Sequence, residues 1–415
     1  TDLGGFLNLL SGGALASFSI VLVGLSPFIT ASIITQLLTK AIPKLEELHK
    51  DGESGRRKIQ QWTRLVTVPL AIIQSIAFIF ILRQTVVAAG TTALADPTMM
   101  EWVVAVGAMS AGSILLMWLG ELITEQGIGN GISLLIFAGI ISQLPTMLQT
   151  IIASLIDTSA GGLNVFNWFT LPINPVAFWI ILIMGIVALA VLYFLVKVNE
   201  AQRVITINYA KRVQGNSSYG GITSILPVKL IAAGVIPIIF AVAFLSLPQF
   251  IGQVMISSGD ASMQAIGTNL TTWFAAPNPG EFTGTTAEAF IYPALYFILV
   301  IAFTYFYTGI VFNSSEIAEN LQKQGGFIEG VRPGQQTEEY LNRTVKRLVL
   351  FGSFVLGLVA ILPFIAEYLL YNTTGISGTN LSIGGTGVLI VVSVGLETLR
   401  QINSRALMVT YDDYK

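Results

Sequence analysis

The sequence has 415 residues, of which 53% are hydrophobic and only 11% are charged, with a formal net charge of −2. Soluble domains carry roughly 25% charged residues, so this composition excludes a water-soluble surface. There is no cysteine and only one histidine, His49. Disulfides, thiolate metal sites and cysteine nucleophiles are therefore excluded, and zinc sites and Ser-His triads are not expected.

Several apolar stretches are long enough to cross a bilayer, for which about 20 residues are required. They cover residues 18–40, 65–88, 102–121, 131–156, 173–196, 230–251, 289–312, 347–370 and 384–402. Gly and Pro interrupt some of these stretches, and membrane helices tolerate both residues. The predicted fold class is therefore an all-α polytopic membrane protein.

The basic residues predict the orientation of the spans, because Lys and Arg accumulate in cytoplasmic loops. Seven lie in 40–64, five in 197–229, five in 313–347 and three in 400–415, and only Arg83 lies elsewhere. These segments are the connections on one side of the membrane. The pattern predicts that residues 1–17 lie outside and that the C-terminal tail, 403–415, is cytoplasmic.

Three segments outside the spans are predicted to be structured. Residues 1–17 are apolar but too short to span, which favours a re-entrant element on the outer side. In 197–229, β-branched residues followed by turn residues at Gly215 predict a projecting β-hairpin. In 313–347, a helix capped at Asn313 is followed by a Pro-Gly turn that carries Arg332 and then by a second helix. A lone arginine on an ordered turn favours docking of a partner.

The spans contain little that could perform chemistry. No acid-base or nucleophile-base pair lies at a shared depth, so no catalytic residue, cofactor or metal is predicted. The Gly127–Gly131 cluster follows no strand, which excludes a dinucleotide fingerprint and predicts a tight turn at the membrane interface. A secondary transporter or ion channel is the main alternative, but it predicts charged residues at mid-membrane depth. On composition alone, the apolar stripe at Leu25 and Ile29 indicates ordinary helix packing.

A set of long motifs, in this order, resembles the SecY family of translocon subunits over the whole chain. The motifs are SGGAL at 11–15, SPFITASIITQ at 26–36, DGESGRRK at 51–58, ITEQGIGNGIS at 123–133, NYAKR at 208–212, AGVIP at 233–237 and VRPG at 331–334. The resemblance implies two pseudo-symmetric halves around a central pore with a lateral gate. It also implies ten spans, so the chain is expected to begin just after the first.

The resemblance assigns regions and residues to roles. The regions are a plug at 1–17, an N-terminal half at 18–156 (spans two to five), an external loop at 157–172 and a C-terminal half at 173–402 (spans six to ten). The implied pore ring consists of Leu25, Ile29, Ile132, Ile136, Ile239 and Ile390. The implied lateral-gate residues are Gln36 and Gln74, and the implied partner-binding residues are Lys211, Arg212 and Arg332. The sequence departs from the common family pattern at Val204, Ile231 and Glu329 and at the hairpin tip, 215–218, where two contact charges are missing.

The implied function is that of a protein-conducting channel and not of an enzyme. It would translocate unfolded secretory polypeptides across the bacterial plasma membrane and release transmembrane segments into it. The implied partners are the small membrane subunits SecE and SecG, the SecA motor ATPase, the ribosome, signal sequences and nascent polypeptides, and the lipid bilayer. Nucleic acid would be met only through the ribosome.

Overall fold

The computed structural model describes most of the chain. The described residues are 19–88, 98–127, 129–156, 163–165, 169–171, 174–209, 212–214, 217–219, 223–231, 234, 236–256, 260–275, 290–374 and 385–412. The predicted plug, 1–17, and most of the predicted external loop, 157–172, lie outside them.

Twelve helices and seven strands lie within these ranges. The helices are α1 (Ser26–Ala41), α2 (Pro43–Lys50), α3 (Glu53–Ala88), α4 (Met99–Glu125), α5 (Gly131–Ile156), α6 (Pro175–Glu200), α7 (Ile236–Ile256), α8 (Ala261–Phe274), α9 (Ile291–Val311), α10 (Ser314–Lys323), α11 (Gln335–Thr374) and α12 (Gly385–Asp412). The strands are β1 (Leu163–Val165), β2 (Phe169–Leu171), β3 (Gln202–Tyr209), β4 (Arg212–Gln214), β5 (Ser217–Tyr219), β6 (Thr223–Lys229) and β7 (Gly326–Ile328).

Six helical segments in the described part of the chain are long and apolar enough to cross a membrane. They are Arg57–Ile79, Met99–Glu125, Ile181–Glu200, Ile236–Ile256, Ile291–Lys323 and Gln335–Leu362. Helices α1, α5 and α12 coincide with three further predicted spans. The prediction of a helical, multi-pass membrane protein is confirmed.

The first predicted span, 18–40, starts later than the apolar stretch. Residues 20–25 form a turn, in which the Gly24 amide donates to the Val21 carbonyl at 2.9 Å. Gly24 has a φ of 61°, a left-handed conformation that glycine adopts at little cost. Pro27 then lies in the first turn of α1, where its missing N–H is no loss. The turn is therefore an independent element, and it packs on α3 and α4 through Leu22 and other buried side chains.

The largest hydrophobic cluster joins helices that are distant in sequence. It contains buried residues of α1, α5, α6, α7, α9, α11 and α12. Helix α1 packs on α3 and also contacts α7, while α7 packs on α9. An aromatic contact strengthens the α7–α9 pair, with the ring centroids of Phe240 and Phe303 6.1 Å apart in an edge-to-face arrangement. The N-terminal and C-terminal helices thus share one core.

The two basic loops combine into one small folded unit. Strands β3 and β6 form the predicted antiparallel hairpin, and β7 adds to β3 as a third strand, with Ile207 opposite Ile328. The inward side chains of this sheet, including Ile205 and Val228, pack against Leu341 and its neighbours on α11. The hairpin prediction is confirmed, whereas the strand contributed by the second loop was not predicted.

The helices of the second loop have the predicted ends. The Asn313 side chain accepts a hydrogen bond from the Glu316 amide at 3.4 Å, and Gly325, with a φ of 72°, follows the last turn of α10. Helix α11 then runs for 40 residues without interruption from this loop into the membrane span. Any displacement of the loop unit is therefore transmitted directly to a spanning helix.

Candidate functional site

The structure brings the six residues of the predicted pore ring together. Leu25, Ile29, Ile136, Ile239 and Ile390 belong to one buried cluster and are between 1% and 6% exposed, and Ile132 packs against that cluster. They come from the start of α1 and from α5, α7 and α12, and α1 contacts α7 while α5 contacts α12. Branched aliphatic side chains can close such a junction against water and ions without hydrogen bonding to a passing chain.

A cavity of about 510 Å³ lies next to this junction. Ring residues from three helices line it, namely Ile29, Ile132, Ile136 and Ile239. The rest of its lining includes the polar side chains of Gln36, Thr63, Glu121, Asn130 and Tyr307. Polar and aliphatic side chains therefore share the lining of a cavity that borders the buried cluster.

The two predicted gate residues lie on packed helices that both contact α7. Gln36, on α1, lines the cavity and donates from Nε2 to the Ser32 hydroxyl at 3.1 Å. Its Oε1 is buried and has no hydrogen-bond partner in the described part of the molecule. Gln74, on α3, is also buried. Burial of an amide oxygen without a partner costs free energy.

The turn between α4 and α5 holds the ring residue Ile132 in place, a role that the sequence did not reveal. The Gly131 amide donates to the Thr124 hydroxyl, which donates to the Gly120 carbonyl, both at 2.8 Å. A Cβ added at Gly120 would lie 3.2 Å from Cδ1 of Ile132, and one added at Gly131 would collide with the Gly120 carbonyl. The predicted tight turn at 127–131 is present, but its dependence on Gly120 and Thr124 has no signature in the sequence.

An ion pair at the cavity edge was likewise missed. Nε of Arg64, on α3, donates to Oε1 of Glu121, on α4, at 2.6 Å. The Glu121 carboxylate is 8% exposed and lines the cavity, while Arg64 is much more open to solvent. A carboxylate buried to this extent requires its partner, because removal of one member leaves an uncompensated charge. The pair therefore ties α3 to α4 beside the cavity.

Arg332 lies on an ordered, exposed turn. Gly330 and Gly334 have φ values of 78° and 100°, and the Thr337 hydroxyl donates to the Arg332 carbonyl at 2.9 Å. The backbone of this turn is thus fixed to the first turn of α11, while the side chain is exposed. On neighbouring α10, a hydrogen bond from Lys323 lowers the pKa of the exposed Glu319.

The structure describes little of the other two predicted partner-binding residues, Lys211 and Arg212. Lys211 lies outside the described residues, and Arg212 is described only as the first residue of β4. β4 pairs with β5, with Gln214 opposite Ser217, so the predicted turn at 215–216 falls between paired strands. Among the described residues, no group of three or more His, Cys, Asp or Glu side chains could hold a metal ion.

Together, these features define a polytopic helical membrane protein in which aliphatic side chains from several helices join one buried cluster beside a cavity, and in which the loops 197–229 and 313–347 fold into one unit. A family model described as SecY matches residues 19–399. The chain is 41% identical over 408 residues to the protein translocase subunit SecY of Corynebacterium glutamicum, covering 98% of this chain and 86% of that protein. It is 40% identical over 415 residues to SecY of Mycobacterium tuberculosis, with the same coverage.

The chain belongs to the SecY family. This membership confirms the prediction drawn from the motifs and supports protein translocation over the alternative of a secondary transporter or ion channel. A solved structure described as a protein-conducting channel has the same fold, with a TM-score of 0.56 and 21% identity over 92% of this chain and 82% of that one. The yeast Ssh1 complex bound to the 80S ribosome is similar at a TM-score of 0.56 and 16% identity, over 92% and 79% of the two chains.

Proposed function

We propose that the aliphatic ring is the point through which this channel passes unfolded polypeptides, and that the ring seals the channel at rest. The placement of Ile29, Ile136 and Ile239 around one cavity, in a buried cluster that also contains Ile390, carries this proposal. The polar part of the lining would receive a hydrated chain, and the aliphatic side chains would form a gasket around it without binding any one sequence. Residues 1–17 would rest beneath the ring as a plug.

The seam between α1 and α3 on one side and α7 and α9 on the other is the proposed lateral gate. Gln36 and Gln74 are its proposed polar residues. The unpaired Oε1 of Gln36 would lower the free energy required to part the helices, because water or an arriving signal sequence can satisfy an oxygen that the closed seam leaves without a partner. A hydrophobic segment could then leave the pore sideways into lipid.

The loop unit formed by β3, β6, β7 and the Arg332 turn is the proposed docking site for a cytoplasmic motor or ribosome. Its rigidity supports this role, because the turn is fixed to α11 by the Thr337 hydroxyl. Lys211 and Arg212 would extend the same surface along the hairpin. Small single-span subunits of the SecE and SecG type, the SecA motor and the ribosome are the proposed partners, and the C-terminus is proposed to be cytoplasmic with the basic loops.

Reconstitution tests this function. The purified protein, with SecE- and SecG-type subunits in proteoliposomes, is expected to take up a signal-bearing precursor when a SecA-type motor and ATP are added on the side of the basic loops. Uptake is measured as protection of the precursor from added protease. Failure to protect any precursor, with the protein inserted and the relative from Mycobacterium tuberculosis active in parallel, contradicts the proposal.

A further inference from the structure

Helix α8 (Ala261–Phe274) carries none of the predicted pore or gate residues, yet it is packed very closely on α7. Asp260 caps its N-terminus by accepting a hydrogen bond from the Ser262 amide at 3.2 Å. A Cβ added at Gly252, on α7, would lie 2.8 Å from the Gly267 carbonyl, and one added at Gly267 would lie 2.6 Å from the Gly252 carbonyl. The two backbones are therefore in direct contact, and α7 and α8 form a closely packed helical hairpin.

The sides of α8 differ sharply in chemistry. The side at Gly267 is buried against α7. Next to it, Met263, Ile266 and Trp273 form an apolar edge, with exposures of 44%, 52% and 42%. Their spacing of three and seven residues places them on one face of a helix. An exposed apolar row of this length on a helix that already has a packing partner indicates a second contact.

The remaining side of α8 is polar but uncharged. Residues 261–274 contain no Asp, Glu, Lys or Arg. The Thr268 hydroxyl donates to the Gln264 carbonyl at 3.0 Å, and the Thr272 hydroxyl donates to the Thr268 carbonyl at 2.5 Å. Hydroxyl groups that are satisfied within their own helix can lie near hydrocarbon at low cost. Nothing on α8 therefore opposes placement at the boundary of a bilayer.

The position of the hairpin identifies what covers the apolar edge. Helix α7 spans the membrane, and beside the Gly252 contact its residues Ile251 and Val254 are exposed apolar side chains on a spanning helix. The surface of α8 is thus adjacent to one that faces lipid, at the end of α7 remote from the β-sheet. Tryptophan is enriched at the interface between hydrocarbon and head groups, where Trp273 would lie.

We propose that the apolar edge of α8, formed by Met263, Ile266 and Trp273, is a lipid-binding surface that inserts into the bilayer boundary and anchors the end of α7. Because the Gly252–Gly267 contact couples the two helices rigidly, lipid bound to α8 restrains α7, which carries the ring residue Ile239. The packing and chemistry of the bilayer at this boundary would therefore bias the gate helix, independently of any protein partner.

Spin labelling tests the proposal on the whole 415-residue chain, which has no cysteine of its own. Ile266→Cys and Met263→Cys probe the apolar edge, and Gln264→Cys and Thr268→Cys are matched controls on the exposed polar side. Each labelled protein is reconstituted in vesicles of phosphatidylethanolamine and phosphatidylglycerol. Collision rates with oxygen, which concentrates in lipid, and with a water-soluble nickel chelate are then measured.

The logarithm of the ratio of oxygen to nickel collision rates is expected to be positive at 263 and 266 and negative at 264 and 268. High nickel collision rates at 263 and 266, equal to those at 264 and 268, would place both sides of α8 in water and overturn the proposal. Labels at 263 and 266 that are immobilised and shielded from both reagents would also overturn it, because protein rather than lipid would then cover the edge. These measurements do not depend on whether the protein translocates polypeptides.

Discussion

Replacement of two ring isoleucines by serine is expected to make the resting channel leak ions. Ile136, on α5, and Ile239, on α7, are almost fully buried and line the same cavity from different helices. In the closed state their side chains are packed in the shared cluster, whereas an open pore separates them. Their truncation should therefore destabilise the closed state more than the open one.

The size of the effect follows from burial. Full burial of an isoleucine side chain is worth about 1.5–3 kcal/mol, so the Ile136→Ser/Ile239→Ser double variant loses about 3–6 kcal/mol from the closed state. If the closed state loses only about 1.5 kcal/mol more than the open state, which is half of the lower end of this range, the ratio of closed to open channels still falls about tenfold. Precursors with defective signal sequences should consequently pass more easily, because less free energy is needed to open the channel.

Conductance of the purified double variant in planar bilayers measures the leak. The matched control is Ile238→Ser/Val359→Ser, since these side chains are 0% and 2% exposed in the same cluster but lie outside the cavity lining. The control is expected to lose a similar free energy of unfolding without conducting. A silent bilayer with folded, inserted Ile136→Ser/Ile239→Ser, or an equal leak from both double variants, would refute the reasoning.

Three further variants test other parts of the account. Arg332→Glu should impair motor-driven translocation with no loss of thermal stability, because an exposed side chain on a fixed turn contributes to partner affinity and not to folding; normal transport would remove Arg332 from the docking site. Thr124→Val removes two hydrogen bonds worth roughly 1 kcal/mol each, so it should lower thermal stability and loosen the seal at Ile132. Thr124→Ser keeps the hydroxyl and should do neither; equal melting temperatures and conductances of the two variants would contradict the role of the hydroxyl. In intact cells or oriented vesicles, a membrane-impermeant thiol reagent should label Glu329→Cys only from the cytoplasm and Ala265→Cys only from outside, and reversed labelling would overturn the orientation.

Local patterns in the sequence predicted most of the helical architecture. Apolar length identified the spans, and the cap at Asn313 was found where residue chemistry placed it, because such features depend on neighbours within a few positions. Gly24 shows the limit of apolar length alone: this left-handed glycine lies in a turn within a stretch that is hydrophobic throughout.

The unpredicted features are contacts between distant segments. Strand β7 pairs with β3, which lies more than 100 residues earlier, and no periodicity in either strand identifies the partner. Arg64 and Glu121 are 57 positions apart, and each alone resembles a charge at the end of a span. The ring itself required the family resemblance, since an apolar stripe on α1 indicates ordinary packing equally well. The structure adds that Ile29, Ile136, Ile239 and Ile390 belong to one buried cluster.

Disulfide cross-linking of an arrested precursor tests the central claim most directly, because the chain contains no competing cysteine. A precursor with one cysteine is stalled midway through the channel in proteoliposomes, and Ile136→Cys, Ile239→Cys or the control Ile238→Cys is present in the channel. Passage through the ring predicts cross-links from both ring positions and none from position 238. Efficient translocation of a precursor that forms no cross-link at 136 or 239, or that cross-links equally at 238, would contradict the account.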